Sequence, residues 1–111
     1  MANKPTRFYS SKQEHNVASV NNGKVVANSG ATRFNKGDVV TDHFLIECKT
    51  KVSESQSISI RKEWLEKTQE EMFSVPGIMR WALAFNFGPN ERNYYIIDER
   101  TFQEFNRILD E

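Results

Sequence analysis

Residues 36–51 read KGDVVTDHFLIECKTK, and their pattern decides how the rest of the chain is read. DVVT and FLIECKTK are two strand-like runs split by Asp42 and His43, a spacing that suits a tight hairpin. On a strand, successive side chains alternate faces, so Phe44, Ile46 and Cys48 point to a core while Leu45, Glu47 and Lys49 point the other way. A buried strand does not carry ionisable groups unless something compensates them. Glu47 and Lys49 lie about 7 Å apart along one face at the usual strand rise, and the hairpin lets Asp38 approach the same region.

Outward from this hairpin the periodicity predicts a helix from Ser11 to Val20, opened by the capping-box pattern SKQE and stopped by NNG. Lys24 to Ala27 reads as a short extended run and residues 28–37, NSGATRFNKG, as a loop. Beyond the hairpin, residues 52–57 form a loop. A helix over Ile60 to Phe73 follows, with Trp64, Leu65 and Met72 near helical spacing. RWALAFNF is a central strand, GPNER turns the chain, and NYYII returns as another strand. A last helix starts at Asp98 or Arg100 and carries the apolar stripe Phe102, Phe105, Ile108 and Leu109. The order α-β-β-β-α-β-β-α predicts an α/β fold, a mixed central sheet flanked by helices. Residues 1–9 are expected to form a flexible N-terminus and residues 10–111 a single domain.

Composition bounds the function. The 111 residues are 38% apolar and 27% charged, as in an ordinary soluble globule. Cys48 is the only cysteine, which excludes an intramolecular disulfide and a thiolate cluster for zinc. Together with the absence of a long apolar run, this points to a cytoplasmic protein without membrane contact. The net charge is zero but unevenly spread. Residues 1–62 hold ten Lys/Arg against five Asp/Glu, or +5, and residues 63–111 hold five against ten, or −5. That asymmetry is the pattern of a basic face that polyanions favour.

The hairpin chemistry is consistent with such a partner. Two carboxylates about 4 Å apart repel by roughly 4 kcal/mol at an effective dielectric near 20, so Asp38 beside Glu47 calls for a cation. Mg²⁺, for which Mn²⁺ can substitute, prefers oxygen ligands and is commonly held by one or two carboxylates plus substrate phosphate oxygens. Lys49 is then placed to orient a nucleophile or to steady developing charge.

Gly37-Asp38 followed by Glu47-Cys48-Lys49 resembles the D-x(n)-(D/E)-x-K signature of the PD-(D/E)XK nuclease superfamily, and within it the small Holliday-junction resolvases of archaea and phages. The element order agrees over roughly residues 11–97, with Gly37 in place of the proline that names the superfamily and Cys48 at a position that is often apolar. The resemblance implies a restriction-endonuclease-like fold and a homodimeric, metal-dependent endonuclease that cuts branched DNA such as a four-way junction. It also implies a further acidic residue from the first helix, where Glu14 stands. Asp38, Glu47, Glu14 and the Cys48 carbonyl would then bind metal while Lys49 assists the attacking water. Ser29 and Gly30 match a loop that lies near the scissile phosphate in such enzymes.

Arg33, Lys36, Lys51, Arg61 and Lys62 flank the centre in sequence and are expected to contact phosphates. Glu14 has a competing role as the last residue of the capping box, and Asp42 reads as a turn residue. His15 and His43 are left out of the chemistry, and Trp64 and Trp81 are assigned to core or dimer interface. The same motif would serve a nickase, a flap nuclease or a restriction-like enzyme, and a non-catalytic branched-DNA-binding module is the alternative outside catalysis.

Overall fold

The two most apolar segments of the chain lie side by side at the centre of the sheet. In a computed structural model, which describes residues 6–26 and 38–111, the order is α1 (Thr6–Val20), β1 (Lys24–Val25), β2 (Asp38–Val40), β3 (Phe44–Lys49), α2 (Lys62–Met72), β4 (Arg80–Phe85), β5 (Tyr94–Ile96) and α3 (Glu99–Leu109). The strands form one five-stranded sheet in the order β1-β2-β3-β4-β5. β3 and β4 are parallel, joined through α2, and the other neighbours are antiparallel. The α/β class and the element order expected from the sequence are those observed.

Both faces of β3 are covered, which is why it tolerates a nearly unbroken apolar run. On one face Ile46 and Cys48 pack with Val17 and Ala18 of α1, Val39 of β2 and Ala82 and Ala84 of β4. On the other, Leu45 packs with Trp81, Ile78 and the α2 residue Met72. Leu45 is therefore as much core as Ile46, although the sequence reading gave the core only one face. Leu45 and Leu83 are fully buried, each contributing about 1.5–3 kcal/mol by transfer from water.

The helices differ from expectation at their edges. α1 includes Thr6 to Tyr9, so Ser11 lies inside the helix and SKQE forms no cap. At its other end Gly23 N–H donates to the Ala18 carbonyl at 2.8 Å and Asn22 takes φ 54°, the closing geometry of a Schellman motif. A side chain at Gly23 would meet the Val40 carbonyl oxygen at 2.9 Å, so the glycine lets β1 enter beside β2. α3 starts with the Asp98 carboxylate accepting from Thr101 N–H at 2.9 Å. Its apolar stripe stays exposed: of its residues only Thr101 is buried, while Phe102, Phe105, Ile108 and Leu109 face outward. Phe105 reaches Phe44 with ring centroids 6.1 Å apart, on the α1 side of the sheet. No helix is long and apolar enough, among the described residues, to cross a membrane.

Candidate metal centre

The hairpin that opened the analysis forms with Asp38 directly opposite Glu47 and Val40 opposite Leu45. Directly opposed residues share a face, so both carboxylates project toward α2. The turn closes with Thr41: its hydroxyl accepts from the N–H groups of His43 at 3.2 Å and Phe44 at 3.0 Å, and its own N–H donates to the Phe44 carbonyl at 2.9 Å. Asp42 and His43 sit exposed in that turn, away from the acidic face.

A third carboxylate arrives from α2. Oxygens of Asp38, Glu47 and Glu71 lie within 4.8 Å of one another, and all three residues are buried. Glu71 was not anticipated from the sequence. The signal was there in the helical period, because Trp64, Thr68 and Glu71 fall at i, i+4 and i+7 on the face that α2 turns to the sheet. Thr68 is 2% exposed and donates its hydroxyl to the Trp64 carbonyl at 2.7 Å, so α2 packs tightly at this point.

The electrostatics of the group are unfavourable without a cation. Both oxygens of Asp38 and both of Glu71 are buried and accept from no donor among the described residues. Burial pushes the Asp38 carboxyl up to about 10, reinforced by hydrogen bonding to Glu47 and by the negative charges of Glu47 and Glu71. Burial likewise raises Glu71, with the Glu47 charge adding to it while contact with Asp38 and the charge of Lys67 oppose it. At an effective dielectric of about 20, each ionised pair at this spacing repels by about 3 kcal/mol. Contact between two carboxyl groups becomes a hydrogen bond only when one keeps its proton, which is the state burial favours.

Lys49 completes the site. Its ammonium lies 3.4 Å from Glu47 Oε1 and 4.5 Å from the centroid of the Trp64 ring. Trp64, assigned from the sequence to core or interface, is half-buried and lines a cleft of about 350 Å³ with Glu47, Lys49, Glu63, Lys67 and Thr68. Asp38 is the most buried of the three acids, and Glu71 borders a second cleft of about 210 Å³ shared with Lys67, Glu70 and Ser74.

Glu14 stands apart from this group. It is fully buried on α1, and Arg7 Nη1 donates to its Oε2 at 3.1 Å while Oε1 has no partner among the described residues. Its carboxyl is raised by burial, a shift that the Arg7 charge partly offsets. Capping is not its role, because α1 extends two turns before it. The Cys48 thiol is buried among Val17, Ile46 and Ala84 on the opposite face, so only its backbone carbonyl remains from the proposed ligand set. Lys51 is half-buried after β3. Arg61 and Lys62 are exposed at the start of α2, with Arg61 paired to Glu63 at 3.1 Å. Ser29, Gly30, Arg33 and Lys36 lie outside the described residues.

The donor set suits a hard divalent cation. Three carboxylates, four of whose oxygens have no other partner, offer the oxygen-only coordination that Mg²⁺ and Mn²⁺ favour, without sulfur or imidazole. Comparison of the chain with family models, with curated proteins and with solved structures finds no match.

Proposed function

We propose that the protein is a metal-dependent endonuclease of restriction-endonuclease-like fold that hydrolyses phosphodiesters in branched DNA, with the four-way junction as preferred substrate. One observation carries this reading: oxygens of three buried carboxylates within 4.8 Å of one another, with an ammonium 3.4 Å from one of them at the mouth of a cleft. A structural ion pair explains Lys49 and Glu47 alone, but leaves the buried Asp38 carboxyl without a hydrogen-bond donor among the described residues.

Asp38, Glu47 and Glu71 would hold the cation, Mg²⁺ or Mn²⁺. Bound there, it supplies Lewis acidity toward a phosphodiester oxygen and a water. Glu47 ties the metal position to Lys49 on the same strand face. Lys49, steadied over Trp64, is placed to orient the attacking water and to offset charge developing on the phosphate. Lys51 and Lys62 add cation-to-phosphate attraction that is independent of sequence. Glu14, set apart on α1, would act on this centre through its charge, which is felt by Glu47.

The same reading includes a homodimer in the cytoplasm. The exposed apolar stripe of α3, with Tyr95 of the edge strand β5 beside Phe105, forms a surface that a second copy can cover symmetrically. Two centres in one dimer allow paired cuts in opposed strands. Ile108→Glu with Leu109→Glu, which alters only exposed positions, is expected to yield a monomer by sedimentation, and an unchanged dimer removes this face from the interface.

The central test compares four-way junction, flap, single-stranded and linear duplex DNA with Mg²⁺. Wild-type protein should cut the junction, and Glu47→Gln or Lys49→Ala should lose cleavage by at least about 10²-fold while still binding it. Near-normal cutting by either variant overturns the assignment.

A further inference from the structure

β3 and β4 are the parallel pair of the sheet, and Lys49 pairs with Phe85 at their carboxyl ends. Ligands of open α/β sheets bind in crevices outside such ends. Here, on the α1 side, is a cavity of about 180 Å³. Its wall is dominated by carboxamides, from Gln13, Asn16, Asn86, Asn90 and Asn93, together with the Thr50 hydroxyl.

Two of these polar residues are deeply buried, Gln13 at 5% and Asn86 at 4% exposure. A chain of hydrogen bonds fixes them. Thr50 Oγ1 donates to Asn86 Oδ1 at 2.6 Å, Asn86 Nδ2 donates to Asn93 Oδ1 at 3.3 Å, and Gln13 Nε2 donates to Asn93 Oδ1 at 3.1 Å and to the Lys49 carbonyl at 2.8 Å. Gln13 Oε1 is buried with no donor among the described residues. Native structures seldom leave such an atom unmatched.

Size and charge narrow the ligand. An apolar cavity of about 150 Å³ takes up benzene, so one of this volume holds a single six-membered ring. Lys12 and Glu91 on the rim cancel in charge, and Lys12 already donates to Asn90. The wall therefore suits a flat, neutral ring that both donates and accepts in its own plane, which is a pyrimidine base. Tyr9, also on the wall, offers an aromatic surface for stacking.

Gln13 grips the carbonyl of the same Lys49 whose side chain serves the acidic centre on the other face. We propose that this pocket binds an unpaired pyrimidine base of a DNA strand whose adjacent phosphodiester is presented to that centre. The DNA part rests on the nuclease reading. Extruding a base from a duplex costs a few kcal/mol and least where it is already unpaired, so such a pocket favours branch points over intact duplex.

The test needs neither metal nor cleavage. The ¹⁵N-labelled full chain in EDTA is titrated with dTMP, dCMP, dAMP and 2-deoxyribose 5-phosphate while the side-chain amide resonances of Gln13 and Asn93 are followed. The expected result is a saturable shift with the pyrimidine nucleotides, at least tenfold weaker binding of dAMP, and no shift with the sugar phosphate. Asn16→Trp, at an exposed helix position on the rim, should abolish the response while leaving the backbone resonances of the sheet and of α2 and α3 away from the pocket unchanged. Pentathymidylate should bind at least tenfold more tightly than dTMP. Equal response to dAMP or to the sugar phosphate, or none to dTMP, overturns the pocket, and equal affinity for dTMP and pentathymidylate overturns its assignment to DNA. A protein that cuts no DNA yet keeps the pyrimidine response defeats the nuclease reading alone.

Discussion

Where β4 meets α3, the Glu104 side chain is 23% exposed and is met by Arg80, which donates through both Nε and Nη2, and by Arg100 at 3.6 Å. Where β2, β3 and α2 meet, Asp38 is fully buried and Glu71 7% exposed, and neither accepts a hydrogen bond from any donor among the described residues. The shallower acid is neutralised twice over, and the deeper ones are not. A fold with arginines to spare for a half-buried glutamate has no stability reason to leave the fully buried Asp38 carboxyl without a donor among the described residues. An acidic group that costs stability in this way is what motivates the proposed metal-binding role.

The largest way to break this contrast is to add a divalent cation. Because Asp38 titrates near 10 in the folded protein against an ordinary 3.8, the metal-free fold has its full share of this group's stability below about pH 4 and loses it as pH rises toward 10. A divalent cation favours the ionised form and reverses that loss. At a Mg²⁺ concentration of 100 times Kd the gain is about 2.7 kcal/mol, on the order of 10 °C in Tm for a domain of this size. Thermal melts at pH 5, 7 and 9, with Mg²⁺ and with EDTA, should show the metal-free Tm falling with pH and the Mg²⁺ increment growing. An increment independent of pH, or none, would mean that these carboxylates do not take up the ion.

The contrast also shows what was legible in the sequence. The hairpin and the Asp38–Glu47 pairing were readable because a period-2 pattern and a short turn determine both register and face. Glu71 was not read, because in KEWLEKTQEEM it is one of four glutamates and only its phase relative to Trp64 and Thr68 separates it from the solvent-facing ones. Glu14 was half-read. It was singled out, but the capping-box pattern is local, and the contacts that extend α1 back to Thr6, such as Arg7 to Glu14, are not. The α3 stripe was readable as amphipathic, whereas its exposure was not, since a helical period identifies an apolar face without identifying what covers it.

The sharpest test of the contrast has a smaller effect, and what decides it is sign. Asp38→Asn replaces a desolvated carboxyl by an amide of the same shape that can donate to Glu47 or Glu71, so it should raise metal-free stability at pH 8 by about 1–3 kcal/mol. Toward pH 4, where Asp38 of the unfolded chain takes up its proton as well, the gain should shrink toward zero. Glu104→Gln removes a paired charge from between Arg80 and Arg100 and should lower stability by about 1 kcal/mol, with little dependence on Mg²⁺. Urea denaturation of both variants in EDTA measures the two signs directly. If Asp38→Asn destabilises the protein as Glu104→Gln does, then Asp38 has a structural partner after all, and the distinction between a neutralised acid and an uncompensated one disappears.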